Sequence, residues 1–125
     1  ILEGLSVVES TKYTFMTRCI NDISKMICSL GGKKDTVFTY AGIGDILLTC
    51  SSSKSRNFTL GKMIGEKASK EEIDNYIENT TIEGLYTLKS MKNLLNQNDI
   101  SMDLISYLED IIYNGAEPES LIKLI

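Results

Sequence analysis

The chain has 125 residues, a formal net charge of −4 and a hydrophobic fraction of 42%. Those proportions describe one compact domain over residues 1–125, able to bury roughly two-thirds of the surface its unfolded chain exposes. The acidic balance excludes a general attraction to nucleic acid or acidic membranes, and no window approaches the ~18 apolar residues of an integral membrane segment.

The opening Ile1-Leu2-Glu3-Gly4-Leu5 has no initiator Met and no cap. It reads as the end of a helix begun earlier, which is the pattern expected of a fragment. Residues 10–30 place Tyr13, Met16, Cys19, Ile20, Ile23, Met26, Ile27 and Leu30 on one helical stripe. Ser10 or Thr11 can cap its start, and Gly31-Gly32 ends it. Asp35 is expected to cap a short helix through Val37 and Tyr40. Gly42 and Gly44 then break the chain. The apolar run from Asp45 to Cys50 fits either a strand or a buried helix. Ser51-Ser52-Ser53-Lys54-Ser55 is a polar loop, followed by a helix over 56–66 with Leu60, Met63 and Ile64 inward.

Ser69 and Glu72 fit a capping box for a helix running to about Glu78. Residues 82–95 align Ile82, Leu85, Leu88, Met91 and Leu95. Residues 102–113 align Ile105, Leu108, Ile111 and Ile112. Gly115 and Pro118 punctuate before a last short helix near Glu119. No GxGxxG follows a strand, so no dinucleotide-binding fingerprint is present. The fold class is therefore all-α, one helical domain of about six to eight helices around one core.

The chain has no histidine. That excludes Ser-His-Asp and Cys-His catalysis and leaves proton transfer to Lys, Tyr or carboxylates. Cys19, Cys28 and Cys50 form no CxxC pair and read as buried, reduced thiols of a cytoplasmic protein; no metal site is expected.

Residues 42–57 concentrate the chemistry. Two glycines precede an acid, and a hydroxyl-rich loop ends Ser55-Arg56-Asn57 at an expected helix start. Free N–H groups at a helix N-terminus attract anions, and a guanidinium fork matches phosphate oxygens. The same residues also fit an ordinary solvated loop with a helix cap. Asp45 can orient a catalytic lysine or merely cap a helix. Glu83 can accept from ribose hydroxyls or sit as a first-turn acid favoured by the helix dipole. Arg18 reads as a structural ion-pair partner, and Lys70-Glu71-Glu72 as a solvated face.

The block Gly42-Ile-Gly-Asp-Ile-Leu-Leu-Thr-Cys50, followed by Ser55-Arg56-Asn57, resembles the signature of bacterial NAD(P)-dependent glycerol-3-phosphate dehydrogenases. Thr11-Lys12, Thr17-Arg18, Gly31-Gly32, Phe38, Gly61, Glu83-Gly84 and Tyr113-x-Gly115 agree in order and spacing. The resemblance implies the all-α C-terminal-domain fold shared with 6-phosphogluconate dehydrogenase. It implies interconversion of dihydroxyacetone phosphate and sn-glycerol 3-phosphate with NAD or NADP, feeding glycerophospholipid synthesis. It assigns Asp45 a place beside the catalytic lysine and the substrate. Ser55, Arg56 and Asn57 would hold the substrate phosphate, and Arg56, Thr81 and Glu83 would touch the cofactor. A Rossmann domain, held by the family on its N-terminal side, would be the main cofactor holder and the domain partner, and a homodimer is compatible.

Three departures accompany the resemblance. The Rossmann domain and the family's catalytic lysine, upstream of Gly4, are outside these residues. Val8-Glu9-Ser10 stands where the family commonly has Gly-x-Asn before its Thr-Lys pair. Cys19 replaces a glycine after Thr-Arg. Two other readings stay open: a two-domain dehydrogenase with a different phosphorylated or acidic substrate, and a free-standing helical interaction module.

Overall fold

The computed structural model describes all 125 residues. Six α-helices follow in order: α1 (Glu9–Ser29), α2 (Asp45–Ser51), α3 (Arg56–Gly65), α4 (Lys70–Asn79), α5 (Glu83–Gln97) and α6 (Asp103–Tyr113). A 3-10 helix (Lys34–Phe38) and a π turn (Tyr40–Gly44) lie between α1 and α2, and a second 3-10 helix (Pro118–Leu124) ends the fold. There is no strand. No helix is long and apolar enough to cross a membrane.

Residues 1–7 close like a helix C-terminus. Leu5 N–H donates to Ile1 O (3.1 Å), Ser6 N–H to Glu3 O (3.0 Å) and Val7 N–H to Leu2 O (3.4 Å), with Ser6 at φ 55°. This turn lies backbone-to-backbone on α3. A Cβ at Gly61 would stand 2.7 Å from Ile1 N, and Cβ atoms at Gly4 and Gly65 would come closer still to facing backbone, at Lys62 O and Ile1 O respectively. The glycines thus let the turn fix the helix that carries Ser55-Arg56-Asn57.

Helix α1 starts earlier than the capping residues Ser10 and Thr11 suggested. Val8 is the extended N-cap and offers no side-chain bond. Glu9 supplies first-turn charge, and Lys12 ties the helix to Glu3 at 2.7 Å. Gly31, at φ 83°, ends it as expected. The stripe is narrower than its spacing implied. Ile20 and Ser24 are buried, whereas Tyr13 and Leu30 are exposed.

Asp35 is not a cap either. Lys33 takes that position, Asp35 sits inside the first turn, and the 3-10 helix stops at Phe38 around buried Val37. Gly42 and Gly44 do not break the chain. They carry it through the π turn directly into α2, and Gly42 packs on the Val37 carbonyl. The apolar run at 45–50 is helical, but it is not buried: Leu47 is 43% and Leu48 69% exposed.

The capping box at Ser69 is present, with Ser69 N–H donating to Glu72 Oε2 (2.8 Å) and Glu72 N–H to Ser69 Oγ (3.3 Å). Ile82, Leu88 and Leu95 bury the α5 face, and Ile111 that of α6. The core centres on Leu2, Ile111, Leu121 and Leu124, flanked by Phe15, Ile64 and Leu108. Lys92 clasps Glu109 across α5 and α6 at 2.5 Å. The thiols are less buried than expected: Cys28 and Cys50 are exposed and Cys19 half-buried. Burial pushes the Cys19 thiol up to about 12.

Candidate active site

Two helix N-termini meet at one rim. Ser55 is the N-cap of α3, and its Oγ accepts from Phe58 N–H at 3.3 Å. Its hydroxyl hydrogen stays available to a ligand. Ile82 is the N-cap of α5 and has no side chain able to cap. Asn57, one residue into α3 beyond Arg56, does the capping from a distance: Gly84 N–H donates to Asn57 Oδ1 at 3.0 Å. This bond satisfies one of the orphan donors of α5 and joins the two helix starts.

The join brings Ser55, Arg56 and Asn57 beside the start of α5, where Thr81 and Glu83 stand. Arg56, Asn57, Thr81 and Glu83 are exposed and Ser55 is half-buried. Arg56 makes no salt bridge. The backbone N–H groups of Arg56 and Asn57 precede the first intrahelical bonds of α3, where Thr59 N–H returns to Ser55 O at 3.0 Å. The residues of this rim therefore carry a guanidinium, a hydroxyl, a carboxamide NH2 and first-turn amides, with the Glu83 carboxylate at the start of α5. Positive partial charge at both N-termini reinforces that character in a chain that is acidic overall.

Asp45 opens α2 and is exposed. It engages in no side-chain hydrogen bond or ion pair, so no contact in this chain ties it to the Arg56 rim. Helix α2 packs on α3, which places Asp45 on a neighbouring element. The run that follows it is exposed at Leu47 and Leu48.

The structural expectation for Arg18 holds. Its Nε lies 3.5 Å from Asp22 and its Nη2 3.9 Å from Asp103, and its Nη1 donates to the Leu124 carbonyl. Lys70, Glu71 and Glu72 are exposed on α4. No group of acidic or thiol side chains is arranged to hold a metal.

In the sequence Gly84 stands out only as half of the Glu83-Gly84 pair, and spacing does not report its contact with Asn57. A glycine in the first turn of a long helix was the one available signal, because glycine is a poor helix former there.

The family model described as NAD-dependent glycerol-3-phosphate dehydrogenase C-terminus matches residues 1–123, and the chain belongs to that family. Glycerol-3-phosphate dehydrogenase [NAD(P)+] of Staphylococcus aureus is 31% identical over 98% of this chain. The Staphylococcus saprophyticus protein of the same name matches equally, at 31% over 98%. A crystal structure of glycerol-3-phosphate dehydrogenase from Coxiella burnetii superposes with a TM-score of 0.89, at 29% identity over 98% of this chain. In each case the chain spans 37% of the relative's length.

Proposed function

We propose that this chain is the substrate-binding half of a two-domain oxidoreductase. It would interconvert dihydroxyacetone phosphate and sn-glycerol 3-phosphate with NAD or NADP. The observation that carries the proposal is the joined rim of α3 and α5, where Arg56 stands unpaired among unspent donors.

In this reading Ser55, Arg56 and Asn57 hold the substrate phosphate. A guanidinium can bind phosphate with two parallel hydrogen bonds, which fixes orientation as well as charge. Arg56, Thr81 and Glu83 face the dinucleotide, whose main binding domain lies outside these residues. The exposure of all three on one rim fits such a neighbour. The nicotinamide, when bound, supplies or accepts hydride. Arg56 lowers the repulsion between two phosphate-bearing molecules in one cleft. Asp45 would orient the lysine that moves the proton at the carbonyl oxygen, a residue the family holds upstream. A homodimer and a cytoplasmic location belong to the same proposal; three free thiols suit a reducing compartment.

Spectrophotometry tests this. The two-domain protein should consume NADH or NADPH when given dihydroxyacetone phosphate. The isolated 125-residue chain, checked for helicity by circular dichroism, should not. Ketone reduction needs a hydride donor and a proton donor positioned together, and this chain supplies neither. Turnover by the isolated chain, or none by the two-domain protein, would refute the proposal.

A further inference from the structure

We infer that Gly84 is a positioning residue of the phosphate site, acting through Asn57. This rests on the proposed function. A carboxamide has one accepting and one donating end, and either can face a ligand unless something fixes it. Here Gly84 N–H fixes it by donating to Asn57 Oδ1 at 3.0 Å. The accepting end is spent on α5, so the NH2 end is the one left to meet a phosphate oxygen. An amide turned the other way would set its oxygen against the phosphate.

That bond is formed because residue 84 has no Cβ. A Cβ built on Gly84 would stand 2.5 Å from Asn57 Oδ1 and 3.0 Å from its Cγ. The backbone of Gly84 is not in the left-handed region, since only Gly31 and Gly115 among the glycines are. Nothing in the local conformation therefore demands glycine, and alanine is the better helix former in the first turn of α5. Glycine stands there at a cost to the helix, and the three atoms nearest to the absent side chain are all those of the Asn57 carboxamide. Those atoms are the free end of a flexible side chain, so a methyl group would swing the carboxamide aside without disturbing the fold.

The test is Gly84→Ala in the two-domain protein, alone and combined with Asn57→Ala. Gly84→Ala should raise KM for dihydroxyacetone phosphate about three- to tenfold, the range of one neutral hydrogen bond, with kcat near wild type. Its melting temperature should change little, because alanine's better helix propensity offsets the loss of the bond that caps Gly84 N–H. In the Asn57→Ala background the same substitution should leave KM unchanged, because the group it displaces is gone. An unaltered KM in Gly84→Ala would overturn the inference. So would independent, additive effects in the double variant, or a KM rise accompanied by lower kcat and a lower melting temperature. A wild-type protein that does not reduce dihydroxyacetone phosphate would instead overturn the proposed function, and the inference with it.

Discussion

Arg18 and Arg56 are the two arginines of the chain, and their surroundings differ in kind. Arg18 is held by Asp22, by Asp103 and by the Leu124 carbonyl, so it binds three segments of the chain to one another. Arg56 has no such partner, although it stands where two helix N-termini converge. The guanidinium is the same group in both places. Satisfied by its own chain, it serves the fold. Left with its donors unspent beside other unspent donors, it is free to meet an anion from outside, which is the role proposed for it.

The contrast sharpens most at Asn57, which belongs to both categories. Asn57→Asp should keep the bond to Gly84 N–H, since a carboxylate accepts well at a helix N-terminus. It should lose the NH2 donor and repel phosphate. KM for dihydroxyacetone phosphate should rise about ten- to a hundredfold with the melting temperature maintained. Equal loss of both would mean that Asn57 serves the fold alone.

A smaller effect separates the arginines by stability. Arg18→Ala should destabilise the protein by about 1–2 kcal/mol, allowing for partial exposure that screens its pairs. Arg56→Ala should leave thermal unfolding unchanged. Calorimetry of the two variants checks this, and equal melting temperatures would erase the distinction.

The smallest effect is that of acid. Hydrogen bonds from Lys12, Ser69 and Lys67 hold Glu3, Glu72 and Glu119 respectively below the ordinary carboxylate value of 4.5. A carboxylate depressed on folding contributes stability above its unfolded pKa and loses it as pH falls through its folded value. Unfolding midpoints should therefore be flat above about pH 5 and decline below 4.5. Because these groups are exposed, added salt should blunt the decline at Glu3 and Glu119 more than at Glu72, whose partner is a neutral hydroxyl and backbone.

Local chemistry made much of this legible. The capping box needs only Ser69 and Glu72 three residues apart, and both of its bonds are present. The spacing of Ile82, Leu88 and Leu95 turns them to one side of α5, where all three are buried. Gly31 could be read as a helix end because only glycine adopts a φ of 83° without strain. Burial of a stripe depends on what packs against it, and that is where spacing failed. Tyr13 lies on a helical stripe and Leu47 and Leu48 in an apolar run, but none of the three is buried in this chain. Gly42 and Gly44 suggested a break, yet the helical path continues through both, and a close approach to Val37 uses the smallness of Gly42. Ser55-Arg56-Asn57 was legible as a candidate from its residue types. Its junction with Gly84 links residues 27 apart, and no local rule reports such a contact.

The account stands or falls on Arg56 as the phosphate ligand. The direct measurement is steady-state kinetics of Arg56→Ala, Arg56→Lys and Lys54→Ala in the two-domain protein. Arg56→Ala should lower kcat/KM for dihydroxyacetone phosphate by about one to four orders of magnitude, the loss of one or two charge-assisted hydrogen bonds. Arg56→Lys should restore only part, because the charge returns without the fork. Lys54→Ala, one step back in the exposed loop, should cost under about 1 kcal/mol. A folded Arg56→Ala variant with near-normal kcat/KM would contradict the account and leave residues 51–57 as a capped surface loop.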